Sequence, residues 1–405
     1  MSRSQSAIDK PSKARISEPL AQWPWFSAEE RAAVDAVLAS GKVNYWTGEQ
    51  GRRFEQEYAA ALGTKHAIAL ANGTVALELP LRMWGIGPED EVIVSPRTFI
   101  ASASCAVLLG ARPVFADVDR DSGNITAATI EPAITPRTRA IVPVHVGGWP
   151  CDLDPIMELA KGRGIKVLED CAQAHGASDR GRAVGSIGDA AAFSFCQDKI
   201  ITTGGEGGLL ATSDPELWER SWSFKDHGKT WEAVYERQHE PGFRWVHDRF
   251  GTNWRLTEPQ AALGRLQLAR LEASVDVRRR LAAIYSARLS MVPALRVPMP
   301  RQAIRHAHYR VYAYLRLEAL KTQWSRDRIR HEISERGAAV FSGSCSEIYR
   351  ERAFEGTGWR PERPLPVAHE LGRTSLAFLC HPTLSERYVE EVCDVVESVI
   401  ADATR

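Results

Sequence analysis

The chain has 405 residues, 44% hydrophobic and 25% charged, and its 51 basic and 51 acidic side chains cancel to a formal charge of +0. That length supports two domains with cores of their own, and the balanced charge argues against a nucleic acid or a membrane surface as the main partner. No apolar run approaches the roughly 18 residues of a membrane-crossing helix.

The first residues, "MSRSQSAIDKPSKARISEPL", are polar and lack the apolar core of a signal peptide, so 1–20 reads as a mobile leader. Short β-rich runs then recur: "HAIAL" from 66, "EVIV" from 91, "RPVFADV" from 112, "RAIVPV" from 139, "IKVLED" from 165, "AAAFSF" from 190 and "GGLLAT" from 207. Helix-period stretches such as "GTVALELPLRMWG" and "LDPIMELAKGRG" lie between several of them. Strands alternating with helices predict a mostly parallel sheet covered on both faces, with ligands beyond the strands' carboxyl ends. From Thr257 the pattern becomes one long helix, and the Arg278, Arg279, Arg280 run reads as a solvated face. A second α/β segment follows, with "YRVYAYLRL" as a strand and "YVEEVCDVVESVIADA" as a last helix. The expected division is a large domain over 21–275 and a small C-terminal domain over 276–405.

The seven cysteines, Cys105, Cys151, Cys171, Cys196, Cys345, Cys380 and Cys393, are scattered without metal-binding spacing and suit a reducing cytoplasm. No histidine stands near Cys196 in the sequence to make it a nucleophile.

Four strand ends carry chemistry. "LANGTVAL" sets Asn72, Gly73 and Thr74 between a strand and a helix, where backbone amides suit a phosphate. "SPRTFIAS" offers Phe99 as a flat face. "VLEDCAQAHG" ends a strand on Asp170, with Gln173 three residues on. "FSFCQDKIITTGGEGG" supplies Ser194 and then Lys199 ahead of a glycine-rich turn. An amine, a carboxylate, a stacking ring and a phosphate seat are the set pyridoxal 5'-phosphate needs: a Schiff-base lysine and an acid to hold its ring nitrogen protonated. The bare loop around Lys199 reads as room for that cofactor.

In order and wording these stretches, with "NYWTGEQGRRFEQEYAAALG" from 44 and "FGTNWRLTEPQAALGRLQL" from 250, closely resemble the DegT/DnrJ/EryC1/StrS family of nucleotide-sugar aminotransferases. The resemblance covers roughly residues 20 to 400 and implies a fold-type I aminotransferase working as a homodimer. It makes Lys199 the Schiff-base lysine and proton shuttle, and Asp170 the partner of the pyridinium nitrogen. It sets Phe99 on the ring, Gln173 near the phenolic oxygen, and Gly73, Thr74 and Ser194 on the phosphate. Asn253 would reach the phosphate from the partner subunit. The turn "TTGGEGG" is one glycine longer than the family's commoner form, and isoleucine rather than asparagine follows Lys199.

The implied reaction moves an amine from an amino acid, L-glutamate first, to a keto sugar on a nucleoside diphosphate. The aromatic and basic stretch 224–250 offers a stacking surface and, in Arg237 and Arg244, cations for the diphosphate. Trp46 and His227 are candidates for the sugar pocket, and His145, in "PVHVGG", is as suited to orienting a strand end as to contacting substrate. Alternatives are a sugar dehydratase, which Lys199 argues against because such relatives carry histidine there, an inactive regulatory homologue, and a non-catalytic nucleotide-binding protein.

Overall fold

The computed structural model describes residues 14–404. Chain order gives β1 (His66–Leu70), β2 (Glu91–Val94), β3 (Arg112–Phe115), β4 (Thr138–Val142) and β5 (Lys166–Asp170). A two-residue hairpin, β6 (Ser178–Asp179) and β7 (Arg182–Ala183), precedes β8 (Ala190–Ser194) and β9 (Gly208–Thr212). The main sheet has the order β1-β9-β8-β5-β4-β2-β3, and β9 alone runs against the others. This is the expected seven-stranded, mostly parallel sheet.

Its strands read as continuous apolar runs because both faces are covered. Alternate side chains enter different cores. Ile68, Leu70, Val92, Val94, Leu168 and Leu210 pack on one face. Ala69, Phe193 and Leu209 pack on the other beside Phe54 and Tyr58, with Ile93, Ile141 and Val167 in a further cluster.

The small domain is a four-stranded antiparallel sheet, β10 (Leu295–Arg296), β12 (Arg310–Leu315), β14 (Ser375–Leu379) and β13 (Val340–Phe341), while β11 (Ile304–Arg305) pairs with β6 of the large domain. Its core draws on the helices Leu271–Leu289, Arg326–Glu335 and Glu386–Ala403. Of the expected leader, 1–13 lies outside the described residues. In the remainder, the Ile16 amide donates to the Arg336 carbonyl at 2.9 Å and that of Ser17 to Glu391 at 2.7 Å.

Two expectations fail locally. The long helix breaks at Arg270 into Glu258–Ala269 and Leu271–Leu289, with Arg270 drawn across to Ser27 and Glu29. Arg278 is not on a solvated face. It is fully buried, donates to the Cys380 carbonyl and lies over the Trp23 ring, and burial pushes its guanidinium down to about 10. The run faces inward at that position because the helix closes over the small domain's core.

β8 and β9 run antiparallel and are joined by the loop 195–207, and Lys199 sits in that loop. Phe195 pins it: its amide donates to the Gly207 carbonyl at 2.8 Å, and its carbonyl accepts from the Thr203 amide at 3.2 Å. Ile200 and Ile201 bury beneath it. The turn's glycines therefore answer to backbone and packing as well as to space. Gly204 and Gly205 adopt φ of 87° and 129°, open to glycine without strain. Gly208 pairs with both Leu70 and Ser194, the carboxyl ends of β1 and β8. A Cβ there would stand 2.2 Å from the Asn72 carbonyl oxygen and 2.8 Å from the Gly73 nitrogen. Both are backbone and cannot yield locally. Gly208→Ala should cost about 1–3 kcal/mol in denaturant unfolding and lower cofactor retention on gel filtration, because the strain falls on the Asn72–Gly73 turn.

Candidate active site

Lys199 and Asp170 open onto one cavity of about 820 Å³ at the carboxyl ends of β1, β5 and β8. Asn72, Gly73, Thr74, Phe99, Gln173, Ser194 and Cys196 line it too, so seven residues singled out from sequence join the lysine and the aspartate.

The floor is set by the turn after β1. Asn72 caps the helix Gly73–Met83, its side chain accepting from the Val75 amide at 3.1 Å. That leaves the amides of Gly73 and Thr74, at the helix's positive end, without an intrahelical acceptor. Ser194 closes the other side, so near that a Cβ on Gly73 would lie 2.6 Å from the Ser194 Cβ. Two free amides at a helix N-terminus with a hydroxyl beside them, and no side chain on Gly73 to crowd them, make a seat for a phosphate.

Asp170 ends β5 with its carboxyl buried, accepting from the Ser102 hydroxyl at 2.7 Å and the Ala172 amide at 3.1 Å. Burial outweighs these bonds and pushes the carboxyl up from the usual carboxylate range. Such a group ionises fully when a cation reaches it, as a protonated ring nitrogen does. Phe99 is 69% exposed and presents its ring to the cavity. Gln173 is fixed by the Gly147 amide, which donates to its Oε1 at 2.7 Å, and by Ser344 at 3.3 Å. The Lys199 Nζ lies 3.6 Å from Asp198 and over the Tyr309 ring. These residues fit pyridoxal phosphate in charge, depth and shape.

Several contributors escaped the sequence reading. Ser102 bonds both Asp170 and, at 2.8 Å, Thr98. Thr98 lies in the bend before the helix Ala101–Val107 and Ser102 in its first turn, and no local spacing in "SPRTFIAS" announces that they meet. Trp254, Glu206 and Asp198 also line the cavity.

His145 orients a strand end, one of the two roles expected for it, and lies outside the cavity lining. Fully buried, it takes the Cys151 amide on Nδ1 at 2.9 Å and meets Glu169 through Nε2 at 3.1 Å. Glu169 also receives the amides of Gly185, Ile187 and Gly188 at 2.8, 2.9 and 2.6 Å. With Cys171, His145 and Glu169 have the spacing of a metal site, but these bonds already occupy the carboxylate and both ring nitrogens.

Asn253, expected at the phosphate, and the candidates for the sugar side lie elsewhere. Asn253 is exposed and absent from this chain's own cavity lining, whereas its neighbour Trp254 is part of it. Trp46 packs edge-on against Trp222, with the Lys229 Nζ 4.1 Å above its ring. His227 is exposed, with φ of 60°. The cations expected for a diphosphate are engaged locally: Arg237 pairs with Glu232 and Asp248, each at 2.6 Å, and Arg244 donates to the Val234 carbonyl at 2.6 Å. They stay in place because acidic and carbonyl acceptors lie within their own loop.

A lysine and a strand-end carboxylate on one cavity at the carboxyl ends of a seven-stranded sheet, with a phosphate seat at the helix start after β1, is the arrangement of fold-type I aminotransferases, and the enzyme depends on pyridoxal phosphate. Within that class the chain belongs to the DegT/DnrJ/EryC1/StrS aminotransferase family, whose model matches residues 25–397. It is similar to the crystal structure of an aminotransferase from Psychrobacter cryohalolentis, with a TM-score of 0.93 and 51% identity, covering 95% of this chain and 100% of that one. GDP-perosamine synthase of Caulobacter vibrioides is 40% identical over 359 residues, 88% of this chain and 92% of that protein. The dTDP-3-amino-3,4,6-trideoxy-alpha-D-glucose transaminase of Streptomyces venezuelae is 37% identical over 369 residues, 91% of each.

Burial pushes the Glu169 carboxyl up, but the bonds from His145, Gly188 and Gly185 prevail and hold it below its usual range. A depressed carboxyl stabilises the fold above its unfolded value, about 4.3, and loses that contribution as pH falls through the folded value. Glu169→Gln should therefore lose on the order of 2 kcal/mol at pH 7 in urea unfolding. The gap to the parent protein should narrow below about pH 4.

Proposed function

We propose that the enzyme transfers an amino group from an amino acid, L-glutamate, to a keto sugar carried on a nucleoside diphosphate. The observation that carries this reading is the single cavity holding Lys199, Asp170 and the start of the helix Gly73–Met83. The sugar enters from the family, whose relatives above are named for amino-sugar synthesis on GDP and dTDP carriers. Cytoplasmic supply of such nucleotides and seven free cysteines suit a cytoplasmic enzyme. No helix among the described residues is long and apolar enough to cross a membrane.

Pyridoxal phosphate, when bound, supplies the electron sink for the donor's α-carbon. The chain's own groups do the rest. Lys199 would bind the cofactor's aldehyde carbon at rest; once the donor's amine has displaced it there, its freed amine would take the proton from the donor's α-carbon and later deliver one to the sugar carbon that receives the amine. Asp170 keeps a proton on the ring nitrogen, and Ser102 and the Ala172 amide hold its carboxylate in line. Phe99 covers one ring face, Gln173 faces the phenolic oxygen, and Gly73, Thr74 and Ser194 hold the phosphate.

Asn253 completes that seat in a second copy of the chain, so the working unit is a homodimer. Its exposure on the outer face of the 252–255 segment supports this role. Trp46, His227 and the outer aromatics Phe243, Trp245 and Phe250 offer stacking faces for the sugar nucleotide, the last three being strongly exposed. Arg237 and Arg244 reach the diphosphate only if their present partners release them. The dehydratase reading loses its support at Lys199, and the inactive-homologue reading at the complete lysine–aspartate pair.

Borohydride reduction of the holoenzyme followed by peptide mapping should place the pyridoxyl tag on Lys199. Asp170→Asn, which keeps the shape but not the charge, should lower kcat about 10²–10⁴-fold with glutamate and a panel of keto nucleotide sugars. A panel that yields no amino sugar with the parent enzyme overturns the assignment of the substrate class.

A further inference from the structure

Among the groups that line the Lys199 cavity, Gln173 is the one whose orientation decides what it can do. An amide presents an acceptor on one side and donors on the other, and only the donor side can bond an ionised phenolic oxygen. Two neighbours choose the orientation. The Gly147 amide can only donate, so its 2.7 Å bond fixes Oε1 on that side. Nε2 then lies 3.3 Å from the Ser344 hydroxyl, which takes one of its two N–H groups. Among the described residues the Gln173 side chain makes these two bonds, so the second N–H is left for the cavity.

Both neighbours rest on one ring. Tyr312, in β12 of the small domain, lies so close to Gly147 that a Cβ there would stand 2.8 Å from its Cε2. Its other edge lies against Gly343, where a Cβ would strike Cε1 and the hydroxyl. Gly147 and Gly343 have φ of 66° and 83°, so both positions ask for glycine by angle as well as by space. The Tyr312 hydroxyl accepts from the Ser344 amide at 3.0 Å and donates to the Ser344 Oγ at 3.4 Å. That second bond uses one lone pair of the serine oxygen and leaves the other for Gln173. Ring and hydroxyl thus bear on opposite ends of one amide. The ring seats the donor to Oε1, and the hydroxyl seats the acceptor from Nε2.

The ring and the serine loop are themselves held. The Arg97 guanidinium lies 4.8 Å from the Tyr312 ring centroid, and this buried arginine donates to the Ser346 hydroxyl at 3.0 Å. The Thr98 amide donates to the Cys345 carbonyl at 3.0 Å. The two residues that follow Ser344 are therefore tied to the large domain, and these shorter bonds fix the place of the longer ones at Ser344.

We propose that Tyr312 is a positioning residue that, through Gly147 and Ser344, holds the Gln173 amide with its nitrogen toward the cofactor's phenolic oxygen. This rests on the placement of Gln173 in the aminotransferase reading above and adds what holds it there.

The test is the visible absorbance of the holoenzyme titrated with pH. It follows the proton on the nitrogen that joins Lys199 to the cofactor and needs neither donor nor sugar. A hydrogen-bond donor on the phenolic oxygen steadies its negative charge and weakens its hold on that proton. Gln173→Leu should therefore raise the midpoint by about one pH unit, the size of a hydrogen bond to a charged group. Tyr312→Phe, which keeps the ring and removes the hydroxyl, should raise it by roughly half a unit. Ser344→Ala should do the same and keeps the test available if the tyrosine variant does not fold. In a Gln173→Leu background Tyr312→Phe should add nothing, which a merely structural role for the tyrosine would not give. Asp170, Asp198, Glu78, Glu206, Cys196 and Tyr309, the titratable groups around Lys199, are the same in every variant and set a common baseline. A shift in Gln173→Leu with none in Tyr312→Phe and Ser344→Ala overturns the proposal and leaves the cofactor placement standing, as do additive shifts in the double variant. No shift in Gln173→Leu removes Gln173 from the phenolic oxygen and the proposal with it. Failure of every keto nucleotide sugar as acceptor overturns the sugar assignment alone, because no substrate enters this titration.

Discussion

Everything at the site depends on one narrow passage of backbone, where Gly208 runs between the carboxyl ends of β1 and β8. It pairs with Leu70 on one side and Ser194 on the other, and no Cβ fits against the Asn72 carbonyl. Because β9 runs antiparallel to β8, the loop 195–207 between them must fold back over the strand ends. Lys199 is placed in that loop, above the helix start that offers two free amides. The amine and the phosphate seat are thus held together by strand pairing, the stiffest element available, instead of by side-chain contacts.

Two adjacent carboxylates on β5 are treated in opposite ways, and the pleat is the reason. Glu169 and Asp170 point to opposite faces. Glu169 is saturated by His145 and three amides, which hold it ionised and lock the strand end. Asp170 receives only Ser102 and the Ala172 amide, and burial pushes it up. The first carboxylate is complete without a ligand, whereas the second gains its full ionisation from a cation in the cavity. Pushing neighbouring acids apart in this way separates a structural role from a chemical one within two residues.

The legible part of the sequence was local. A strand run that stops on Asp170, or on Asn72 and a helix start, can be read within ten residues, so the seven-stranded sheet and the lining of the cavity were accessible. What depended on strand order was not. Nothing near His145 announces that Glu169, 24 residues on, lies beside it across paired strands. Charge was misread for the same reason. Arg278 shares a run with Arg279 and Arg280, yet the break at Arg270 turns the helix so that Arg278 alone faces the core. Arg237 and Arg244 read as free cations because their acceptors, Asp248 and the Val234 carbonyl among them, become neighbours only when the loop folds back.

The glycine-rich turn shows where residue type alone misleads. Its bareness suggests room for a ligand, but Gly204 and Gly205 hold backbone angles that suit glycine, and Gly207 and Gly208 are packed against Thr203 and Asn72. Ile200 and Ile201, far from bare, are buried as anchors under the lysine. The space in front of Lys199 is instead made by what surrounds it: β strands that end together, a helix that begins there, and acidic side chains that leave the cavity short of cations. That shortage is chemically directional. A protonated ring nitrogen is suited to the buried Asp170 carboxyl, and among the described lining residues Lys199 is the one cation it would meet.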